Sequence, residues 1–389
     1  MPYRLNIACV LKLLRAKPRL PAICGVVLLG LLTVLCRSTM ATPPAPLSWV
    51  TGYWFSPPVY GRLPVSKIDY SALTHIIHYA VLPSSDGTLE SKSLGNITAY
   101  ASDLIQTSHQ NGVQVLLGVG QTASGGDFKN ATSPDNLDNF ISNIMSVVDL
   151  YGYDGVDIDW ENGIDTGRFT NLVNGLRTQL DARPTRGLLT GAFWNVCCSI
   201  DTLQDAFDQI NVMTYDNCAI SEGFSSYNSP LYNSGDPRRR TVDWRIRQFI
   251  AKIQPAKLGL GIPFYGYVWR GGSGAPTGGI TAPGQSWTSP PTMTAIDYRN
   301  LVSNASLWQD SYKRRDLPGG VPYLSIDLPG SNDDVFVTYE DEISVAKKVA
   351  YASSLGLGGV MIYELSADYL SGQEPSHPLL EAIKNALPQ

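Results

Sequence analysis

Charge is scarce in this chain. Of its 389 residues, 16% are Asp, Glu, Lys or Arg, against 43% hydrophobic. That balance excludes intrinsic disorder, a coiled coil and a collagen-like chain. Histidine is scarcer still. Only four are present, too few for a His-rich metal centre, and no metal or cofactor is expected. A basic excess is also missing. With 29 basic and 34 acidic residues the formal charge is −5. Nucleic acid is excluded as a partner, because phosphate binding needs a basic surface. Low-complexity tracts and internal repeats are absent; 26 Pro and 36 Gly supply turns without dominating. The length suits one large domain, or one domain carrying an inserted module.

Acidic residues are missing altogether from the first forty positions, which hold Arg4, Lys12, Arg15, Lys17, Arg19 and Arg37. An apolar run from Pro21 to Cys36 follows the first five of these. Ser38-Thr39-Met40-Ala41 then places small residues at Thr39 and Ala41. Basic region, apolar core and small-residue site are the layout of a secretory signal peptide over residues 1–41. The apolar run is shorter than the roughly 20 residues that span a bilayer. An uncleaved signal anchor is the alternative, and only that would make a membrane a partner. The expectation is secretion, with membrane anchoring as the second reading. Without the leader the basic count falls to 23, the net charge to near −11, and the cysteines from six to three. Cys197, Cys198 and Cys218 remain. In an oxidising compartment one disulfide is expected between Cys218 and either Cys197 or Cys198. Asn96, Asn130 and Asn304 head N-glycosylation sequons.

Beyond the leader, short apolar runs alternate with helical patterns. The expected strands are Val50 to Phe55, Leu73 to Val81, Gln114 to Gly120, Gly155 to Trp160, Gly187 to Trp194, Gln209 to Tyr215, Lys257 to Phe264 and Gly358 to Tyr363. Among the helices, Ser133-Pro134 reads as an N-cap with proline at the first position. Leu137, Phe140, Ile141, Ile144 and Val148 then form one apolar face. Thr338 and the run Glu340, Asp341, Glu342 open another helix, with Lys347 and Lys348 further along and Gly356 at its end. Eight such strands point to a parallel sheet, closed as a (β/α)8 TIM barrel or left open and doubly wound. About seventy residues separate the last two strands where a short connection would serve. This stretch reads as a small α+β insertion over 266–336, between barrel segments 42–265 and 337–389. A monomer is expected.

The run Asp154-Gly-Val-Asp157-Ile-Asp159-Trp-Glu161 carries the chemistry. In a strand, residues two apart share a face, so Asp157, Asp159 and Glu161 project together, opposite Val156, Ile158 and Trp160. Closely spaced carboxylates in a low-dielectric site cannot all ionise, so at least one pKa must rise. A carboxyl so tuned can donate a proton at working pH. A solvated acidic edge and a divalent-metal site are the other readings of the spacing.

These residues resemble the signature of glycoside hydrolase family 18, the chitinase family. Further segments resemble it in the same chain order: Gly52-Tyr53, Thr74-His75-Ile76, Met213-Thr214-Tyr215-Asp216, Asn228 to Tyr232, Leu260 to Gly266 and Gly358 to Glu364. The resemblance runs from about Val50 to Tyr369 and implies the closed barrel, with the insertion after strand seven. It also implies substrate-assisted, retaining hydrolysis of β-1,4-linked N-acetylglucosamine polymers, chitin and its oligosaccharides. Glu161 would be the general acid/base. Asp159 would hold the acetamido N–H, Asp157 would share a proton with it, and Tyr215 would bond the acetamido group from the other side. Met213 and Asp216 would line the same subsite, while Asp154 would brace the strand. Tyr53, Trp194, Tyr265 and Tyr363 would offer rings to the sugar, with Trp287 and Trp308 as candidates to wall the cleft. The alternatives are an endo-β-N-acetylglucosaminidase acting on N-glycan cores and a chitin-binding lectin.

Three positions depart from the family pattern. Strand three ends Gly118-Val119-Gly120-Gln121 in place of Ser-x-Gly-Gly. Tyr363 replaces a tryptophan, and Tyr267 stands where an arginine is usual.

Overall fold

The computed structural model describes residues 47–56, 63–121, 127–236, 238 and 240–388. The expected leader, cleaved or anchored, lies outside these residues. Seven strands come first: β1 (Trp49–Phe55), β2 (His75–Val81), β3 (Gln114–Val119), β4 (Gly155–Ile158), β5 (Leu188–Phe193), β6 (Gln209–Val212) and β7 (Leu258–Pro263). There follow β8 (Tyr265–Arg270), β9 (Thr292–Asp297), β10 (Lys313–Asp316), β11 (Val321–Ile326), β12 (Val335–Thr338) and β13 (Gly359–Tyr363). The first seven and β13 close into a barrel in the order β1-β13-β7-β6-β5-β4-β3-β2, every pair parallel. This is the (β/α)8 architecture. Its strands are buried on both faces because one face fills the lumen and the other meets the helices.

The helix Leu137–Tyr151 shows how the covering layer is specified. Phe140, Ile141, Ile144 and Val148 are buried against the barrel, as their helical spacing requires. Its start differs from expectation. Ser133 and Pro134 form a turn in which the Ser133 carbonyl accepts from the N–H groups of Asn136 and Leu137, and Asn136 is the N-cap. The helix Glu342–Ser354 likewise begins later than expected. Thr338 belongs to β12, and Asp341 with Ser344 forms a reciprocal capping box. Lys348 does not face solvent near the helix end. It is buried and pairs with Glu340 at 2.5 Å.

Between β7 and β13 lies a five-stranded antiparallel sheet, order β10-β11-β12-β8-β9, with a short helix Tyr298–Val302. It spans 265–338, slightly wider than 266–336, because the chain passes from β7 into β8 through Phe264 alone. Trp308 packs between Tyr298 and Tyr339, and Trp287 against Trp269, at the edges of the apolar clusters of this sheet. Both rings are half-buried, with one side on these clusters.

The cysteine pairing is corrected. Cys197 and Cys198 are bonded to each other, and Cys218 is a buried free thiol. Cys198 packs in the barrel–helix core, whereas Cys218 packs with Tyr227, Trp269 and Phe336 in a separate cluster. The expected Cys198–Cys218 bridge would have to join two different cores. No helix among the described residues is long and apolar enough to cross a membrane.

Candidate active site

The ladder of β4 ends at Ile158, two residues short of the expected Trp160. One further hydrogen bond, Asp159 N–H to the Val119 carbonyl at 2.9 Å, keeps the backbone extended past that point. Alternation therefore persists, and three acids follow one another toward the C-terminal rim, where barrels of this kind carry their sites. Asp157 lies within the ladder, Asp159 at its edge and Glu161 beyond it. Exposure rises in that order: Asp157 is 0% and Asp159 4% exposed, while Glu161 reaches solvent. Asp154 stands at the other end of the strand. Its carboxylate accepts from His109 Nε2 (2.8 Å) and from the Val115 N–H (2.7 Å), far from the other three along the strand.

Each buried acid is held by hydroxyls from other strands of the barrel. Asp157 accepts from Tyr53 (2.7 Å) on β1 and Thr190 (2.5 Å) on β5. Burial pushes its pKa up from 3.8 to about 6, and the two hydrogen bonds oppose that rise. Asp159 accepts from Tyr79 on β2 at 2.5 Å through Oδ2, while its buried Oδ1 has no partner among the described residues. Burial first, then the Glu161 charge, raise its pKa well above the ordinary value; the Tyr79 bond lowers it and the Asp157 charge raises it further. Burial and the Glu161 charge both favour the protonated form of Asp159 over the ionised one. Glu161 Oε2 accepts the indole N–H of Trp194 at 2.8 Å.

The strand-three departure has a steric reason. A Cβ on Gly118 or on Gly120 would run into the ring of Tyr79. Glycine at both positions makes room for the tyrosine that bonds Asp159. Gln121 in turn accepts from the Asn162 N–H at 3.0 Å, tying the end of β3 to the residue after Glu161.

Beyond β6, Tyr215 is 3% exposed, with its hydroxyl 3.9 Å from Met361 Sδ. Met213 is buried in the same lumen cluster as Tyr53, Tyr79 and Tyr215. Asp216 adopts a left-handed φ of 54°, and its N–H donates to Asn228 Oδ1 at 2.7 Å. Its Oδ1 accepts from Tyr265 (2.6 Å) and Tyr267 (2.7 Å). Burial raises its pKa, against these two bonds and the Arg245 charge. The ring of Tyr363 is half-buried, with ring centres 5.6 Å from Tyr53, 6.0 Å from Tyr215 and 6.1 Å from Tyr265. Asp157, Asp159, Glu161, Tyr215, Tyr53, Met213, Asp216, Tyr363, Trp194 and Tyr265 are thus gathered at one end of the barrel. Of the sequon residues, Asn130 is exposed, and Asn96 and Asn304 are half-buried.

Four site residues carried no signal in the sequence. Tyr79 and Thr190 read as ordinary strand residues, Tyr267 as a departure from the family pattern, and Arg245 belongs to none of the motifs. Barrel closure brings Tyr79 and Thr190 to Asp159 and Asp157, while Tyr267 comes from the inserted sheet and Arg245 from a covering helix. Arg245, on the helix Val242–Ile250, supplies a cation that Tyr267 does not. Its Nη1 donates to the Trp194 carbonyl, its Nη2 to Asn217 Oδ1 at 2.9 Å, and its guanidinium lies 5.2 Å from the Trp194 ring centre. Burial lowers its pKa to about 10, which leaves it charged at neutral pH.

A parallel eight-stranded barrel with graded carboxyls leading to its C-terminal rim defines a barrel of the glycosidase type. The chain belongs to the glycosyl hydrolases family 18, whose sequence profile matches residues 50–368. It is 29% identical to chitotriosidase-1 of Mus musculus over 284 residues, 65% of this chain and 58% of that protein. Against chitinase A1 of Niallia circulans it is 31% identical over 267 residues, 59% of this chain and 37% of that one. The matched stretch is therefore under two thirds of either relative's length. The fold superposes on the crystal structure of the Ostrinia furnacalis Group IV chitinase with a TM-score of 0.74, at 24% identity, covering 87% of this chain and 99% of that one.

Proposed function

We propose that the protein hydrolyses β-1,4-linked N-acetylglucosamine polymers, chitin and its oligosaccharides, by a retaining, substrate-assisted route. One observation carries this reading. The unpartnered, buried Oδ1 of Asp159 lies next to Glu161, in a lumen rimmed by tyrosines. An acid of that kind is costly to bury, and a ligand N–H arriving there would give it a partner.

In this mechanism Glu161 gives its proton to the glycosidic oxygen as the bond to C1 breaks. The acetamido carbonyl oxygen of the same sugar closes onto C1 and forms an oxazolinium ion. Asp159 passes its proton toward Asp157, accepts the acetamido N–H and faces the positive charge that develops there. Tyr215 donates to the acetamido oxygen from the opposite side. Water, deprotonated by Glu161, then opens the ring from the face the leaving group left, so configuration is retained. Tyr363 and Tyr53 form the floor beneath the reacting sugar, with Met213, Asp216 and Tyr265 beside it. Export through the leader, and sugar attachment at the sequons, belong to the same proposal.

Glu161→Gln keeps the shape and removes the acid. Turnover of a fluorogenic chitobioside is expected to fall by roughly 10²-fold or more, with the melting temperature unchanged. Full activity in that variant would reject the mechanism. Release from chitin oligosaccharides, compared with release from a glycoprotein's N-glycan cores, separates the two substrate classes. Absence of turnover on both, with binding retained, would leave a lectin.

A further inference from the structure

The machinery above leaves one charged group unused. Arg245 lies behind the site rather than in it, on a helix outside the barrel wall. It nevertheless reaches the ends of two strands at once. Through Nη1 it holds the backbone carbonyl of Trp194, just past β5, and through Nη2 the side chain of Asn217, just past β6. The same guanidinium lies over the indole of Trp194, 5.2 Å from the ring centre. Trp194 is therefore gripped by backbone and by ring, and its one remaining polar atom, Nε1, donates to Glu161 Oε2.

We infer that Arg245 is a positioning residue that sets the orientation of Glu161 through Trp194. The inference rests on the reading of Glu161 as the acid.

The physical case is one of rigidity. Glu161 follows the end of the β4 ladder and is exposed, so no neighbouring strand fixes its rotamer. A hydrogen bond from the indole restrains it only as far as the indole is itself restrained. Trp194 is half-buried at the mouth of a loop, where a ring alone would swing. The planar fork of arginine satisfies two acceptors in fixed geometry while its face stacks on the ring. Lysine offers a point charge and cannot do all three. A carboxyl displaced by about 1 Å from the glycosidic oxygen loses much of its effect.

The test is a double-mutant cycle on the full chain, read by kcat and KM on a fluorogenic chitobioside, with melting temperature measured throughout. Trp194→Phe keeps the ring and removes the N–H. Arg245→Met keeps the bulk and removes the fork. Each alone is expected to lower kcat roughly tenfold or more, by loss of a hydrogen bond to a charged group directly or through its support. The double variant is expected to be no slower than the slower single variant, since both act on one contact. Multiplication of the two losses, or an Arg245→Met enzyme with unchanged kcat, would overturn the inference. Should Arg245→Met not fold, Arg245→Lys takes its place in the cycle with the same two outcomes. Inactivity of the unaltered chain would instead reject the function itself, a separate result.

Discussion

At the scale of single residues, the site works by unequal burial of like groups. Asp157, Asp159 and Glu161 are chemically similar, yet they sit at three depths and meet different partners. Asp157 shows the cost. Its carboxyl binds a proton more tightly in the folded protein than in the unfolded chain, since burial raises its pKa from 3.8 to about 6. The folded state therefore holds more protons between these values, and stability falls as pH rises through them. The contribution is fully present below about pH 4 and is lost by about pH 6, with a size up to roughly 3 kcal/mol. Asp157→Asn removes this titration. Melting temperatures of the two proteins, followed from pH 4 to 7, should diverge in favour of the variant as pH rises, on top of a constant offset from the altered Tyr53 and Thr190 bonds. Two parallel curves would show that Asp157 does not titrate in this window.

Among elements, the junction of the antiparallel sheet with the last barrel helix is the most constrained. Glu340, just past β12, and Lys348, on Glu342–Ser354, are both almost fully buried and pair at 2.5 Å. Ser344 also donates to Glu340, at 2.6 Å. Burial raises the Glu340 pKa and lowers that of Lys348, and the mutual attraction opposes both shifts. Such a pair is costly to break from one side, because the remaining charge is stranded. Lys348→Met is expected to lose about 3–5 kcal/mol in chemical denaturation. Adding Glu340→Leu should recover most of it. A single variant as stable as the double one would show that the pair carries little. The helix pattern pointed to acids followed by lysines, a surface arrangement favoured by the helix dipole. It could not indicate that Lys348 turns inward, because that depends on β12 ending beside it.

For the whole molecule, the covalent connection is less extensive than the cysteine count suggested. A bond between Cys198 and Cys218 would close a loop of about twenty residues and constrain the unfolded chain by roughly 3 kcal/mol. The Cys197–Cys198 bond joins neighbours in sequence. By the same loop-entropy relation it is worth roughly 1 kcal/mol. Reduction by a small thiol should therefore lower the melting temperature only slightly. A loss on the larger scale would point to a long-range bridge. What holds the barrel together is the apolar layer between strands and helices, from Trp54 and Val115 through Phe169 to Val360.

Local periodicity was enough to establish much of this protein. Eight apolar runs, the amphipathic helices and the oversized connection before the last strand pointed to a parallel α/β sheet with an insertion, and the family resemblance implied that the sheet closes. Alternation in Asp154 to Glu161 put three acids on one face. Those features depend on repeats of two and 3.6 residues, which any short segment carries within itself. The partners of the acids do not. Tyr79 reaches Asp159 across 80 residues, Tyr53 reaches Asp157 across 104, Trp194 reaches Glu161 across 33, and Arg245 reaches Trp194 across 51. The choice between two cysteine pairings turned on which core each thiol packs into. Closure of the barrel and packing of its covering helices bring these groups within hydrogen-bonding distance. Sequence alone thus specified which acids share a face, and the tertiary structure decided how deeply each one is buried and which neighbours hold it.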